Sequence, residues 1–272
     1  MTLQYLLLAG LANPVFCEGQ KVFPGYDLRH PDKIIELPRE VNEISGIAFS
    51  NGFIYAIDDE HGDLFRIELK TDPKIDKWNF GKKKDYEDVA LVDGYFFVLN
   101  SNGMLVQFPN RFPLENITEI TPAITGRNEF ESLYYDPSAK KLVMLCKNCA
   151  TDKKNENAAW SLHAGSRAFD KEKFYTIKRK EIENVLGEKI GEFRPSAANL
   201  NPVNGNVYVL SSVNKLIIEM KDNKIAAAAA LNPKLFNQPE GITFSSTGDL
   251  IISNEAGKKG NATLLVFKQK SN

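Results

Sequence analysis

An all-β propeller of five blades, with six as the alternative count, is the fold this 272-residue sequence predicts, and three observations predict it. Short apolar runs separated by polar turns recur along the chain, as strands joined in hairpins do. Five of these runs open on a matching segment: Glu43 opens EISGIAF, Glu87 opens EDVAL, Glu131 opens ESLYYD, Ser196 opens SAANLNP and Glu240 opens EGITF. The openings are separated by steps of 44, 44, 65 and 44 residues, a repeat length that fits one blade of short strands.

The first residues stand apart. Tyr5 to Leu11 (YLLLAGL) is apolar but far shorter than the ~20 residues that cross a bilayer as a helix. It suits the apolar region of a secretory signal, with small residues following near Ala9 and Ala12, although no Lys or Arg precedes it. Residues 1–20 are therefore assigned to targeting and residues 27–272 to a single propeller domain, and export to the periplasm or cell envelope is expected. Cys17 is a candidate for lipid attachment, but Pro14, Val15 and Phe16 make a poor lipobox.

Each unit then repeats one scheme. In the first, Ile44 to Phe49 is a strand, AsnGly at 51–52 turns the chain, Phe53 to Ile57 returns, and Leu64 to Leu69 follows the loop AspAspGluHisGly. The second runs Val89 to Val92, AspGly, Tyr95 to Leu99 and Leu105 to Phe108. The third carries the long step. Its polar residues 150–160 read as an exposed loop, and residues 178–190 (KRKEIENVLGEKI) have the helical spacing of Ile182, Val185 and Leu186. This predicts a short helix inserted in blade three or its exit loop; a sixth blade hidden in the same step is the alternative. The fourth and fifth units use Val207 to Leu210 with Leu216 to Met220, and Leu250 to Ser253 with Leu264 to Phe267. Too few residues remain after Glu240 for four strands, so KIIELP at 33–38 is expected to supply the last outer strand and close the ring.

Composition narrows the function. A formal net charge of −1 and a pI near 6.4 argue against a nucleic-acid surface, and the one compact basic run, Lys82 to Lys84, is followed at once by AspTyrGluAsp. Cys146 and Cys149 form a lone CxxC, read as a loop after a strand; redox activity, metal binding and a small disulfide stay open. His30, His61 and His163 show no HExxH or HxH spacing, and GxSxG, P-loop and GxGxxG fingerprints are absent.

The repeated glutamates carry the chemistry. In a propeller, equivalent repeat positions sit at equal depth around one axis, so Glu43, Glu87, Glu131 and Glu240 should converge there. A second position, just after each second strand, opens on the same face: Asp58, Asn100, Cys146, Ser211 and Asn254. Two carboxylates ~5 Å apart repel by roughly 3 kcal/mol at an effective dielectric of ~20, so a convergent ring needs protons or a cation. Oxygen donors point to calcium, with magnesium the other candidate, rather than zinc. The predicted metal ligands are Glu43, Glu87, Glu131, Glu240, Asp58, Asn100 and Asn254. The alternative is that these glutamates bind amides at strand starts and hold no metal. Ser196 interrupts the ring, and Arg194 beside it is a candidate for holding an anionic ligand. His61, in the channel-face loop, is the candidate general base.

The combination of EISGIAF with IYAIDDEHGDLFRIEL, FGKKKDYEDVAL, RPSAANLNPVNGNVYVLSS and QPEGITFSSTGDLIISNE resembles the SdiA-regulated family, from about Pro38 to Phe267. That resemblance implies a propeller and an exported bacterial protein, and implies little about activity. A more distant likeness to calcium-dependent gluconolactonase-type and phytase-like propellers implies that a Glu-Gly pair such as Glu240-Gly241 binds an axial metal. The reading is an exported, monomeric binding propeller that holds calcium and recognises a small molecule or an envelope protein. The alternatives are a metal-dependent hydrolase acting on a lactone or phosphoester, and a protein-recognition scaffold.

Overall fold

Twenty short strands assemble into five four-stranded antiparallel sheets in the computed structural model, which describes residues 23–122, 124–257 and 260–270. The targeting segment 1–20 and Cys17 lie outside the described residues. After β1 (Lys33–Glu36), blade one is β2 (Ile44–Ser50), β3 (Phe53–Asp58), β4 (Asp63–Glu68) and β5 (Ile75–Asn79). Blade two is β6 (Tyr86–Val92), β7 (Tyr95–Asn100), β8 (Leu105–Pro109) and β9 (Thr118–Ile120). Blade three is β10 (Asn128–Asp136), β11 (Lys141–Cys149), β12 (Glu156–His163) and β13 (Tyr175–Lys178). Blade four is β14 (Ala197–Leu200), β15 (Val207–Ser211), β16 (Leu216–Lys221) and β17 (Lys224–Ala230). Blade five is β18 (Pro239–Phe244), β19 (Leu250–Asn254), β20 (Thr263–Phe267) and, from the far end of the chain, β1.

The turns follow from residue type. Asn51-Gly52 and Asp93-Gly94 all take positive φ, the conformation a two-residue hairpin needs to match strand twist. The innermost strands contact one another in the cycle β2, β6, β10, β14, β18 and back to β2, so the ring is closed. Five apolar clusters fill its five blade-to-blade interfaces. Between blades one and two, for instance, Tyr55, Ile57 and Leu64 pack with Phe96, Val98 and Phe108. Polar latches register the inner strands. Ser45 Oγ donates to the Glu87 carbonyl at 2.7 Å, Ser196 Oγ to the Pro239 carbonyl at 2.8 Å and Ser253 Oγ to the Ser45 carbonyl at 3.1 Å. The buried Asp88 carboxylate accepts from the Leu133 amide of blade three at 2.7 Å and from the Val89 amide at 2.8 Å.

The expected closure is present: β1 pairs antiparallel with β20, Lys33 opposite Val266 through Glu36 opposite Thr263. Among the described residues there is no sixth blade. The 65-residue step is taken up by the β12–β13 connection and by α1 (Arg179–Leu186), which follows β13 in the exit loop and buries Ile182. Two local expectations are corrected. Residues 150–160 are not all loop, because β12 starts at Glu156 and buries Asn157, Ala158 and Ala159. Cys146 and Cys149 lie within β11, not in a loop after it, and are bonded to each other.

A candidate cation site in the channel mouth

The four repeated glutamates do converge, and backbone bulges aim three of them. In blade two, Tyr86 pairs with Asn100 and Asp88 with Leu99, which leaves Glu87 as the extra, unpaired residue. Glu131 is left over in the same way between Phe130–Cys146 and Ser132–Leu145, and Glu240 between Pro239–Asn254 and Gly241–Ser253. An extra residue in one strand turns its side chain out of the normal alternation, here into the channel. Glu43 immediately precedes β2, whose pairing is also irregular between Ile44 and Ile47. Blade four pairs regularly and brings Ser196, whose hydroxyl is taken by its latch and by the Ser212 amide.

The result is a cavity of about 250 Å³ lined by Glu43, Asp59, Asp85, Glu87, Glu129, Glu131, Glu240 and Glu255, with Ile44, Ser45 and Lys147. Among the described residues, eight lining carboxylates thus face one lining ammonium. Lys147 Nζ lies 2.8 Å from Glu131 Oε1, to which it donates, and 3.5 Å from Glu129 Oε1.

Electrostatics inside the cavity follow from burial and from this crowding. Burial, then the Glu131 and Asp85 charges, pushes Glu87 well up from the ordinary carboxylate range. Burial raises Glu131 as well, with Lys147 opposing. Burial likewise raises Glu240. Glu255 is pushed up to about 7 by burial and then by Glu240, and Asp59 up to about 6 by burial and then by Asp58 and Glu43. Burial would lower Lys147, but Glu131 and Glu129 outweigh it and hold the ammonium firmly protonated. Asp59 Oδ1, in the cavity wall, is buried with no hydrogen-bond partner among the described residues, as is Asn254 Oδ1 outside it.

Of the residues singled out in the sequence, Glu43, Glu87, Glu131 and Glu240 line the cavity, and Asp58, Asn100, Asn254, His61 and Arg194 do not. Asp58 accepts from the amides of Glu60 and His61 and faces the His61 ring, so its carboxylate shapes the loop. Asn100 donates to the Asp85 carbonyl at 2.8 Å and accepts from the Asn102 amide. Asn254 donates to the Leu235 carbonyl and to Thr263, and its free Oδ1 sits beside the Glu240 bulge in the pairing register. The His61 side chain is about half exposed (55%), with Nδ1 3.2 Å from Asp58 Oδ2. The Arg194 backbone is tied to Asn214 and Ser211, and its Nε is buried without a partner. Sequence reasoning missed Lys147, Asp85 and Glu129. The detectable signal for Lys147 was its place between the two cysteines. Outside the cavity, Cys146, Cys149 and Asp152 place ligand-type atoms within 4.8 Å of one another, although the two sulfurs are already bonded.

No protein-family model matches the chain, and no curated protein matches it. Solved structures do. Glutaminyl cyclase from Myxococcus xanthus aligns at TM-score 0.56 and 15% identity, over 89% of this chain and 97% of that one. Regucalcin from Agrobacterium tumefaciens, a calcium-binding protein, aligns at TM-score 0.53 and 11% identity, over 91% and 96%. The PQQ-bound aldose sugar dehydrogenase from Streptomyces coelicolor aligns at TM-score 0.52 and 11% identity, over 89% and 100%. At these identities the likeness shows the fold: the chain is a β-propeller.

Proposed function

We propose that the channel mouth binds a divalent cation, calcium by the chemistry of its donors, and that the protein is an exported binding propeller. One observation carries this: eight carboxylates line a cavity in which, among the described residues, one ammonium supplies a single compensating charge. The ligand set fits the ion. Among the described residues no histidine or cysteine lines the cavity, and the carboxylate lining disfavours zinc. The carboxylates come from four blades, so they can supply the many oxygens and loose geometry that calcium accepts, whereas magnesium demands a tighter octahedron. Lys147 claims the Glu131 wall, which leaves Glu43, Asp59, Glu87, Glu240 and Glu255 to hold the ion. The orphaned Asp59 Oδ1 is an acceptor that a cation would satisfy. When bound, the ion would supply positive charge for an anionic or hydroxylated ligand at the open side, where Ser196 stands in place of a glutamate.

Membership of the SdiA-regulated family is part of the same proposal and rests on the motifs quoted above. A calcium-binding structural neighbour is compatible with the reading, at an identity that speaks only to fold. The Cys146–Cys149 disulfide supports export, because such bonds persist in oxidising compartments. A second reading, a metal-dependent hydrolase, is favoured by one feature. Asp58 engages His61 Nδ1, which leaves Nε2 free as a base in the exposed loop that follows Asp59. Flow dialysis with radioactive calcium tests the binding claim: one ion per wild-type chain is expected, and none in the Glu87→Gln/Glu240→Gln variant. Absence of bound calcium in the wild type at millimolar concentrations would overturn it. Lactone or phosphoester turnover that is lost in His61→Ala would move the conclusion to the hydrolase.

A further inference from the structure

We infer that the Cys146–Cys149 bond is a redox-modification site that locks Lys147 into the carboxylate cavity. The argument begins with strand geometry. In a regular strand, residues three apart point to opposite faces and their Cα atoms lie about 10 Å apart, too far for a disulfide. Here the Cα atoms are 5.8 Å apart. The pairing shows how. Asn148 lies opposite Glu129 and Cys146 opposite Phe130, so Lys147 is the extra residue of a bulge on β11. The bond therefore needs the bulge, and the bulge delivers the Lys147 ammonium to Glu131 at 2.8 Å and Glu129 at 3.5 Å. Asn157 on β12, itself buried, braces the same bulge by donating to the carbonyls of Cys146 and Lys147 at 3.2 and 3.1 Å.

Opening the bond removes the covalent half of this brace. A dithiol reductant would attack Cys149 Sγ, at the strand end, the residue being slightly less buried than Cys146. The S–S bond breaks, Cys146 leaves as a thiolate, and the mixed disulfide is resolved by the second thiol of the reductant. Two electrons and two protons pass to the protein, and the reductant becomes a disulfide. Without the bond, β11 is free to regain regular pairing, which turns Lys147 away from Glu131. The consequence for ion binding rests on the cation proposal: the cavity loses its competing ammonium and gains Glu131 and Glu129 as free ligands, so calcium affinity rises.

The test reads Lys147 directly. Purified full-length protein, oxidised or treated with dithiothreitol, is acetylated with an N-hydroxysuccinimide ester, and the rate at each lysine is followed by mass spectrometry. Opening of the pair is checked by thiol alkylation and folding by circular dichroism. The Cys146→Ala/Cys149→Ala variant provides the open state independently. The expected result is a rise of about tenfold in Lys147 acetylation on reduction and in the variant, because a charge-assisted pair no longer protects it, with other lysines unchanged. An unchanged Lys147 rate in folded protein with the pair open overturns the inference. Loss of the fold in both open forms also overturns it, because the bond would then hold the blade rather than the lysine. Calcium affinity, measured alongside, separates the two claims. A faster Lys147 with no calcium binding in either state supports the lock and contradicts the cation reading.

Discussion

Replacing Asp59 by Asn should stabilise the protein without calcium and weaken its response to calcium. Asp59 is pushed from an ordinary 3.8 up to about 6, first by burial and then by Asp58 and Glu43, and its Oδ1 has no donor. Keeping it ionised in the fold costs about 3 kcal/mol by the size of that shift, and about 1–2 kcal/mol after allowing for solvent screening at a partly exposed site. Asn is nearly isosteric and carries no charge. The backbone of residue 59 is held independently, its amide donating to the Glu43 carbonyl and its carbonyl accepting from the Tyr86 amide. At pH 8 in EDTA the variant should therefore melt about 2–8 °C higher than wild type, at roughly 2–4 °C per kcal/mol for a chain of this size. The gain should fall to about half at pH 5, where the folded wild type is already protonated but its unfolded chain is not. With calcium added the order should reverse. Differential scanning calorimetry at the two pH values, with and without calcium, provides the comparison. A variant less stable than wild type in EDTA at pH 8, or a gain independent of pH, would refute the reasoning.

Other outcomes follow from the same site and from the ring that carries it. Asp59 and Glu255 have folded pKa values raised to about 6 and about 7, so their stabilising contribution is complete below the unfolded values near 4 and is lost as pH rises through 6 to 7. Calcium must displace those protons, so the calcium-induced rise in melting temperature should grow from pH 5 to pH 8, and calorimetric titration at pH 6.5 in two buffers should show proton release. Lys147→Met leaves the buried Glu131 without its cation and should cost about 3 kcal/mol in EDTA, with calcium restoring more stability than it adds to wild type, as thermal melts would show. Gly46→Ala would drive a Cβ into the backbone and carboxylate of Asp88, where adjacent inner strands meet; it should destabilise by about 3 kcal/mol, measurable by urea unfolding.

Most inner and middle strands were legible because four of the five blades join short apolar runs through a Gly-containing turn, as in Phe49–Asn51-Gly52–Phe53. The outer strands were less so, Lys33–Glu36 apart. Thr118–Ile120 is short and largely exposed, and the small residues of Lys224–Ala230 show no alternation, so their pairing follows the neighbouring strand. The four glutamates could be placed because repeat equivalence fixes depth around an axis. The bulges that aim Glu87, Glu131 and Glu240 could not, because an unpaired residue shows only in the register between strands. That limit also explains why Asp58 and Asn100, equivalent by repeat, turned out to hold loops. Lys147 reaches the cavity only through a second bulge tied to the cysteine pair, a contact between strands that no repeat pattern encodes.

The most direct test of the cation reading is thermal unfolding in EDTA with calcium or magnesium restored, for wild type and for Glu87→Gln/Glu240→Gln. Selective binding to the folded state raises the melting temperature. The account predicts a rise of several degrees with calcium in the wild type, a smaller one with magnesium, and none in the variant. An unchanged wild-type melting temperature with either ion, or an equal rise in the variant, would contradict it.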